Sequence, residues 1–182
     1  MARLALELFD GTHRVHGLGP RERSLLEFAA LLHDVGRHIS YPGRHKHTFY
    51  LIRNGDLRGF HPVDIEVLAL VGRYHRQGMP RKKNTIFAAL PREERRAVRI
   101  LSGLLRLADA LDRSHRAVVK ALSVREDRGG LRLRCEVEGD AGLEQWAARR
   151  RLELLAGTLE RPLGLEFVPR AAGTRAPARA RA

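Results

Sequence analysis

The chain has 182 residues, of which 43% are hydrophobic and 30% charged, an ordinary balance for one sizeable domain or one domain with a small appendage. No apolar run approaches the roughly 20 residues needed to span a bilayer, and no signal-like start is present, so a cytoplasmic location is expected. A single cysteine, Cys135, excludes an internal disulfide and a thiolate zinc cage, while a formal net charge of +13 points to a polyanionic partner such as polyphosphate or a nucleotide. Only four lysines occur (Lys46, Lys82, Lys83 and Lys120), so part of the charge also reflects a general preference for arginine.

Leu4, Ala5, Leu8 and Phe9 recur at helical spacing from the first residues without a capping residue before them, as in a helix whose first turn lies upstream. Gly17 and Gly19-Pro20 punctuate the chain, and Pro20 suits the first turn of a second helix, which Leu25, Leu26, Ala29, Leu32 and Val35 carry through His33-Asp34 toward Gly36. Tyr41-Pro42-Gly43 breaks the pattern, and His47 to Asn54 reads as a short helix closed by Asn54-Gly55. Pro62 opens a further helix that brings His75 near its C-terminal end. Gly78 to Asn84 reads as a basic loop. Pro91-Arg92-Glu93-Glu94 starts a long helix through Leu101, Leu104, Leu105, Ala108 and Leu111, ending around residues 113–116.

From there the period changes. Val119 to Val124 and Leu131 to Val137 alternate about Asp127 to Gly130, which predicts a hairpin. Leu143 to Leu159 is amphipathic, with Trp146, Leu152 and Leu155 expected on one broad face, and Leu163 to Val168 predicts a last strand. The expected fold class is mainly α: a helical domain over residues 1–116, a β-β-α-β appendage over 117–169, and a disordered basic tail over 170–182.

The residues with chemical potential are His33, Asp34, His47, His75 and Asp109, spread over four helical segments. Imidazole and carboxylate together suit one or two divalent ions, with Mn, Fe, Mg and Zn all compatible. Adjacent side chains on a helix project about 100° apart, so His33 and Asp34 meet one ion only if it sits beside the helix and neighbouring helices complete its shell. Asp34 has the two oxygens needed to bridge a metal pair, and such a pair activates water for attack on phosphorus. Each residue also has a plainer explanation. Asp109 can pair with Arg106 or Arg113, His75 can interact with a helix C-terminus, and His47 can simply be packed.

Leu32-His33-Asp34-Val35-Gly36 followed by Leu107-Ala108-Asp109 resembles the HD superfamily of metal-dependent phosphohydrolases. The stretches Ile39-Ser40-Tyr41, His45-Lys46-His47-Thr48-Phe49-Tyr50-Leu51-Ile52, Arg73-Tyr74-His75-Arg76, Leu105 to His115 and Leu143-Glu144-Gln145-Trp146 resemble the C-terminal HD domain of the exopolyphosphatase/guanosine pentaphosphate phosphohydrolase (Ppx/GppA) family. That resemblance implies His33, Asp34 and Asp109 as ligands of a first metal and His47 and His75 as ligands of a second. It implies Asp34 and Arg37 as catalytic residues, with Arg37, Arg44, Lys46, Arg76, Arg113 and His115 contacting phosphate; Lys82 and Lys83 are better read as solvated charges.

Two departures stand out. The superfamily's first histidine has no counterpart here, and His13 and His16 sit at the wrong end of the first helix to replace it. The actin-like phosphatase module of Ppx/GppA proteins is not represented either. The leading expectation is a metal-dependent phosphohydrolase acting on a phosphoanhydride such as polyphosphate, a nucleotide or a ppGpp-like alarmone. Its alternative is a non-catalytic polyphosphate- or nucleotide-binding module working with a separate phosphatase module, with a homodimer possible in either case. A third expectation, a fragment without independent role, carries its own signature: an exposed apolar patch around Leu4 and Leu8.

Overall fold

The computed structural model describes residues 1–170, and the basic tail expected over 170–182 lies almost wholly outside the described residues. Among the described residues, seven α-helices and three strands follow in the order α1 (Ala2–His16), α2 (Pro20–Leu32), a 3₁₀ turn (Val35–His38), α3 (Arg44–Asn54), α4 (Pro62–Tyr74), α5 (Thr85–Ala89), α6 (Arg92–Leu111), β1 (Val119–Asp127), β2 (Gly130–Val137), α7 (Gly142–Leu159) and β3 (Leu163–Pro169). The fold is mainly helical, with the expected β-β-α-β arrangement after the helices.

Local chemistry sets the boundaries. Gly17 adopts φ 62° and donates its N–H to the His13 carbonyl, closing α1. Glu22 reaches back to accept from the Gly19 N–H at 2.8 Å while Pro20 occupies the first turn of α2. Several details differ from the sequence reading: α2 stops at Leu32 and α6 at Leu111, both earlier than expected. α3 begins at Arg44 rather than His47, because Gly43 supplies the left-handed residue (φ 71°) from which the helix starts. α5 has no counterpart in the sequence reading; Asn84 caps it by accepting from the Phe87 N–H at 3.0 Å.

α6 is the central element. Val98, Leu101, Leu104, Leu105, Leu107, Ala108 and Leu111 are all fully buried, because α1, α2 and α4 pack on one side of it and α7 on the other. Leu4 and Leu8 are buried within this packing, so the apolar patch expected of a fragment is not exposed. α1 buries them against α2, α6 and β1.

β1 and β2 pair antiparallel through a tight turn in which Asp127 accepts from the Gly129 N–H at 2.8 Å, and β3 adds in parallel to β2, giving the order β1-β2-β3. The sheet joins the helices through α1: Arg3 donates to the Val119 carbonyl at 2.7 Å and Glu7 accepts the Leu122 N–H at 3.0 Å. Leu131, Leu133 and Cys135 alternate toward the core, and one apolar cluster runs from the helices into the sheet. Burial pushes the Cys135 thiol up to about 12, so this cysteine is a small apolar residue here.

One face of α7 contradicts the sequence expectation. Leu155 is fully buried, but Trp146 is 58% exposed. Nine residues separate them, about two and a half helical turns, so the two side chains leave opposite sides of the helix. The buried side consists of Glu144, Ala147, Ala148, Leu155 and Leu159, and Gly103 of α6 makes room for Leu155, whose Cδ1 a Cβ there would meet at 3.1 Å.

Candidate functional site

α2 ends at Leu32, just before the His-Asp pair, rather than running through it as the sequence pattern suggests. His33 takes the helix-terminal position with αR geometry, and Asp34 (φ −111°, ψ 8°) starts the 3₁₀ turn. The turn is pinned to α3 by Thr48, whose hydroxyl donates to the His33 carbonyl at 3.0 Å and accepts the Gly36 N–H at 3.1 Å. Gly36 is required for this approach. A Cβ there would lie 2.2 Å from the Arg44 carbonyl oxygen and 2.3 Å from the Thr48 nitrogen. Gly36 therefore marks a point of backbone contact rather than a loosened helix end.

α4 delivers His75 at its C-terminal position, 2% exposed. Arg106 of α6 holds this helix end together: its guanidinium donates to the carbonyls of Tyr74, His75 (3.2 Å) and Gly78 (2.6 Å). The first two carbonyls form the negative end of the α4 dipole and the third belongs to the loop after it, and together they offset the cost of burying an arginine. Burial nonetheless lowers the Arg106 pKa to about 10, with Arg151 adding repulsion.

The rings of His33 and His75 meet edge to face, with centroids 5.2 Å apart and planes 89° apart. Each Nδ1 faces a backbone carbonyl, Ala30 at 2.8 Å for His33 and Gly72 at 2.6 Å for His75. A carbonyl only accepts, so Nδ1 carries a proton in both rings, and a neutral ring of this tautomer has its lone pair on Nε2. Burial pushes the His75 pKa down to about 4, against the raising pull of the Gly72 carbonyl, Asp109 and Asp34. His75 is neutral near pH 7.

Asp34 is committed elsewhere. Its Oδ1 accepts from Arg44 Nε at 2.9 Å and its Oδ2 from Arg37 Nη1 at 3.2 Å. Burial raises its pKa, but the charges of His33 and Arg44 and the Arg37 hydrogen bond outweigh that and hold it below the usual carboxylate value. Arg44 is itself buried, 7% exposed, and its Nη1 meets no acceptor. The guanidinium groups of Arg44, Arg76 and Arg37 lie 4.5, 5.7 and 5.9 Å from the centre of the Tyr41 ring. Three of the six expected phosphate contacts are thus gathered about one exposed aromatic ring.

Asp109 is half-buried and lines a cleft of about 210 Å³ together with His75, Arg76, Arg113, Trp146 and Arg151. The simple ion-pair explanation for it fails, since among the described residues neither Arg106 nor Arg113 pairs with it. His47 sits half-buried on α3 and, among the described residues, makes no ring contact with His33 or His75. Lys46 is exposed on the same helix, and His115 is exposed in the turn after α6 with φ 56°. Neither is brought to the cleft. Lys82 and Lys83 line two other surface hollows.

As the side chains stand, the donor set does not fit a metal ion. Among the described residues no three of His, Cys, Asp and Glu converge closely enough to hold one, and both oxygens of Asp34 face arginine. His16 offers no replacement for the missing histidine. It is buried, with Nε2 donating to the Phe9 carbonyl at 3.0 Å and Nδ1 accepting the Leu18 N–H at 2.9 Å, so both nitrogens are used.

The sequence reading missed Tyr41, Trp146, Arg150 and Arg151 as site residues. Their signals were present, as an aromatic beside the Pro42-Gly43 break and as a tryptophan followed by three consecutive arginines, but the place of Trp146, Arg150 and Arg151 in the cleft depends on how α7 seats on α6, and that of Tyr41 on the arginines of α3 and the segment after α4. Among the described residues no helix is long and apolar enough to cross a membrane. The family model described as Ppx/GppA phosphatase, domain III, matches residues 1–155, which takes in the His33-Asp34 turn, Asp109, the hairpin and α7 as far as Leu155. With that much of its length matched, the chain belongs to the family of Ppx/GppA phosphatase domain III.

Proposed function

We propose that this chain is a phosphate-ligand-binding module, gripping a phosphoanhydride such as polyphosphate or a nucleotide and working beside a phosphatase module. The observation that carries the reading is the gathering of arginines at Asp34. Arg37 and Arg44 take the two carboxylate oxygens, and Arg76 joins them around Tyr41. Arginine forks match phosphate oxygens in pairs. The buried Arg44 Nη1 lacks an acceptor, and a buried donor without a partner costs about 1–3 kcal/mol. A phosphate oxygen supplies that acceptor once Tyr41, 60% exposed, turns aside. Membership of the Ppx/GppA family supports a phosphate-bearing ligand and a companion phosphatase domain.

The test is calorimetric titration of inorganic tripolyphosphate in the presence of a chelator. Binding is expected to survive chelation and to weaken steeply with salt, by analogy with counterion release from nucleic acids. Arg37 is exposed and Arg76 half-buried, and neither belongs to the apolar core. Arg37→Gln and Arg76→Gln are each expected to weaken binding about tenfold, the effect of one charge-assisted hydrogen bond. Tripolyphosphate binding that requires added divalent metal, or no binding, would falsify the reading.

A specific observation favours a second function, metal-dependent phosphohydrolysis. His33 and His75 both fix Nδ1–H on a backbone carbonyl and leave Nε2 free, which is how ligating histidines are oriented in metal sites. On this reading His33, Asp34, Asp109, His47 and His75 would hold one or two divalent ions, Mn, Fe, Mg or Zn, which would activate water for attack on phosphorus. Elemental analysis after expression with manganese and iron decides. One or two equivalents, lost in Asp109→Ala, supports the hydrolase; a folded, metal-free protein leaves the binding module.

A further inference from the structure

The exposure of Trp146 is not explained by packing. Tryptophan is among the side chains that gain most from burial, and this one lies 58% exposed on a helix whose opposite side is fully packed. Its position is nevertheless fixed from both sides in sequence. Two residues before it, Glu144 is 1% exposed and its carboxylate accepts the Ser114 N–H at 2.9 Å, tying the first turn of α7 to the turn that ends α6. Directly after it, Ala147 and Ala148 are buried. The ring is therefore held at the rim of the cleft that contains His75 and Asp109.

The guanidinium of Arg150 lies 5.1 Å from the centre of the Trp146 ring, a cation–π contact that leaves most of the ring exposed. Arg76, Arg113 and Arg151 line the same cleft against a single acid, Asp109. At about 210 Å³ the cleft is below the roughly 300–1,000 Å³ of pockets that enclose a whole small molecule, so it takes one part of a ligand and leaves the rest on its rim. Phosphate groups alone need only the cations. An aromatic plane beside the cations offers a surface for a flat ring.

We propose that Trp146, backed by Arg150, is a stacking platform for the base of a nucleotide whose phosphates run from Arg113 and Arg151 to Arg76, the arginine that the cleft shares with the Tyr41 cluster. This rests on the phosphate-binding reading above and makes Trp146 the residue that separates nucleotides from plain polyphosphate. It also gives the β-β-α-β region a role, since α7 carries the base-reading wall of a site whose other walls come from α4 and α6.

Trp146 is the chain's one tryptophan, so its emission reports the contact directly. ATP and inorganic tripolyphosphate, titrated into the full chain with chelator present, share the triphosphate and differ in the nucleoside. ATP is expected to quench Trp146 emission, and tripolyphosphate to leave it nearly unchanged. By calorimetry, Trp146→Ala is expected to weaken ATP between about fivefold and about a hundredfold, the range for removing one base–aromatic stack. Tripolyphosphate affinity should stay within about twofold, and Trp146→Phe should retain most of the ATP affinity. Equal losses for both ligands, or tripolyphosphate binding with ATP affinity indifferent to Trp146→Ala, overturns this inference alone. The second pattern is also the one expected if Trp146 and the neighbouring exposed Leu143 served a protein contact instead. Failure of the wild-type chain to bind either probe overturns the phosphate-binding reading with it.

Discussion

Replacing Gly36 by alanine tests how the Asp34 turn is held against α3. The added methyl would sit 2.2 Å from the Arg44 carbonyl oxygen, 2.3 Å from the Thr48 nitrogen and 2.8 Å from its hydroxyl. Two of these atoms are backbone, so no rotamer change relieves the clash. Reaching ordinary contact of roughly 3.5 Å requires the turn and α3 to separate by about 1 Å. That stretches the Thr48 bonds to Gly36 N–H (3.1 Å) and His33 C=O (3.0 Å) past useful length. Overpacking of this kind costs about 1–3 kcal/mol, and two weakened hydrogen bonds about 0.5–1.5 kcal/mol each, for a destabilisation of about 2–6 kcal/mol. Thr48→Val keeps the shape, removes the hydroxyl and leaves Gly36 N–H and His33 C=O without it, an expected cost of about 1–3 kcal/mol. The assay is urea unfolding followed by far-ultraviolet circular dichroism, comparing midpoints at unchanged slope. Because both substitutions break the same clamp, the double variant is expected to lose less than the sum of the single losses. A Gly36→Ala midpoint matching wild type, or losses that add in full, refutes the reasoning.

Two further predictions concern titration and the seating of α7. His75 has its pKa lowered from 6.5 to about 4, so between these values the unfolded chain binds a proton that the native chain refuses. Stability is therefore full above pH 6.5 and falls as pH drops toward 4, by about 3 kcal/mol at roughly 1.36 kcal/mol per pH unit. His16, also lowered by burial, adds loss in the same direction. Urea midpoints measured from pH 7 to 4.5 should decline in wild type and decline less in His75→Gln; identical slopes in the two proteins count against a neutral buried His75. In α7, Leu155→Ala is expected to cost about 2–5 kcal/mol and Trp146→Ala to stay within about 0.5 kcal/mol, as measured by thermal unfolding. Comparable losses would mean that Trp146 packs in solution.

Much of the fold was legible because its signals are local. The periodicity of Leu101, Leu104, Leu105, Ala108 and Leu111 specifies α6 without reference to any other part of the chain, and the switch to period two after residue 116 marks the hairpin. Gly17, Gly19-Pro20 and Pro62 punctuate helices through constraints on their own backbone, which is why those boundaries came out close. The short α5 was missed because five residues carry too little periodicity to register.

The site divides along the same line. Sequence alone supplied the residue types, the His33-Asp34 pair, the late Asp109 and the surrounding arginines, together with the family to which they belong. It did not determine which of these groups face one another, since that depends on contacts between residues distant in the chain. Tertiary structure put Arg44 and Arg37 on the oxygens of Asp34 that a metal would need, left His47 on a different part of α3, and turned Trp146 outward toward the cleft. Trp146 and Leu155 look alike in a hydrophobic pattern. Only the close seating of Ala147, Ala148 and Leu155 on α6 decides which of the two sides is core and which is left to read a ligand.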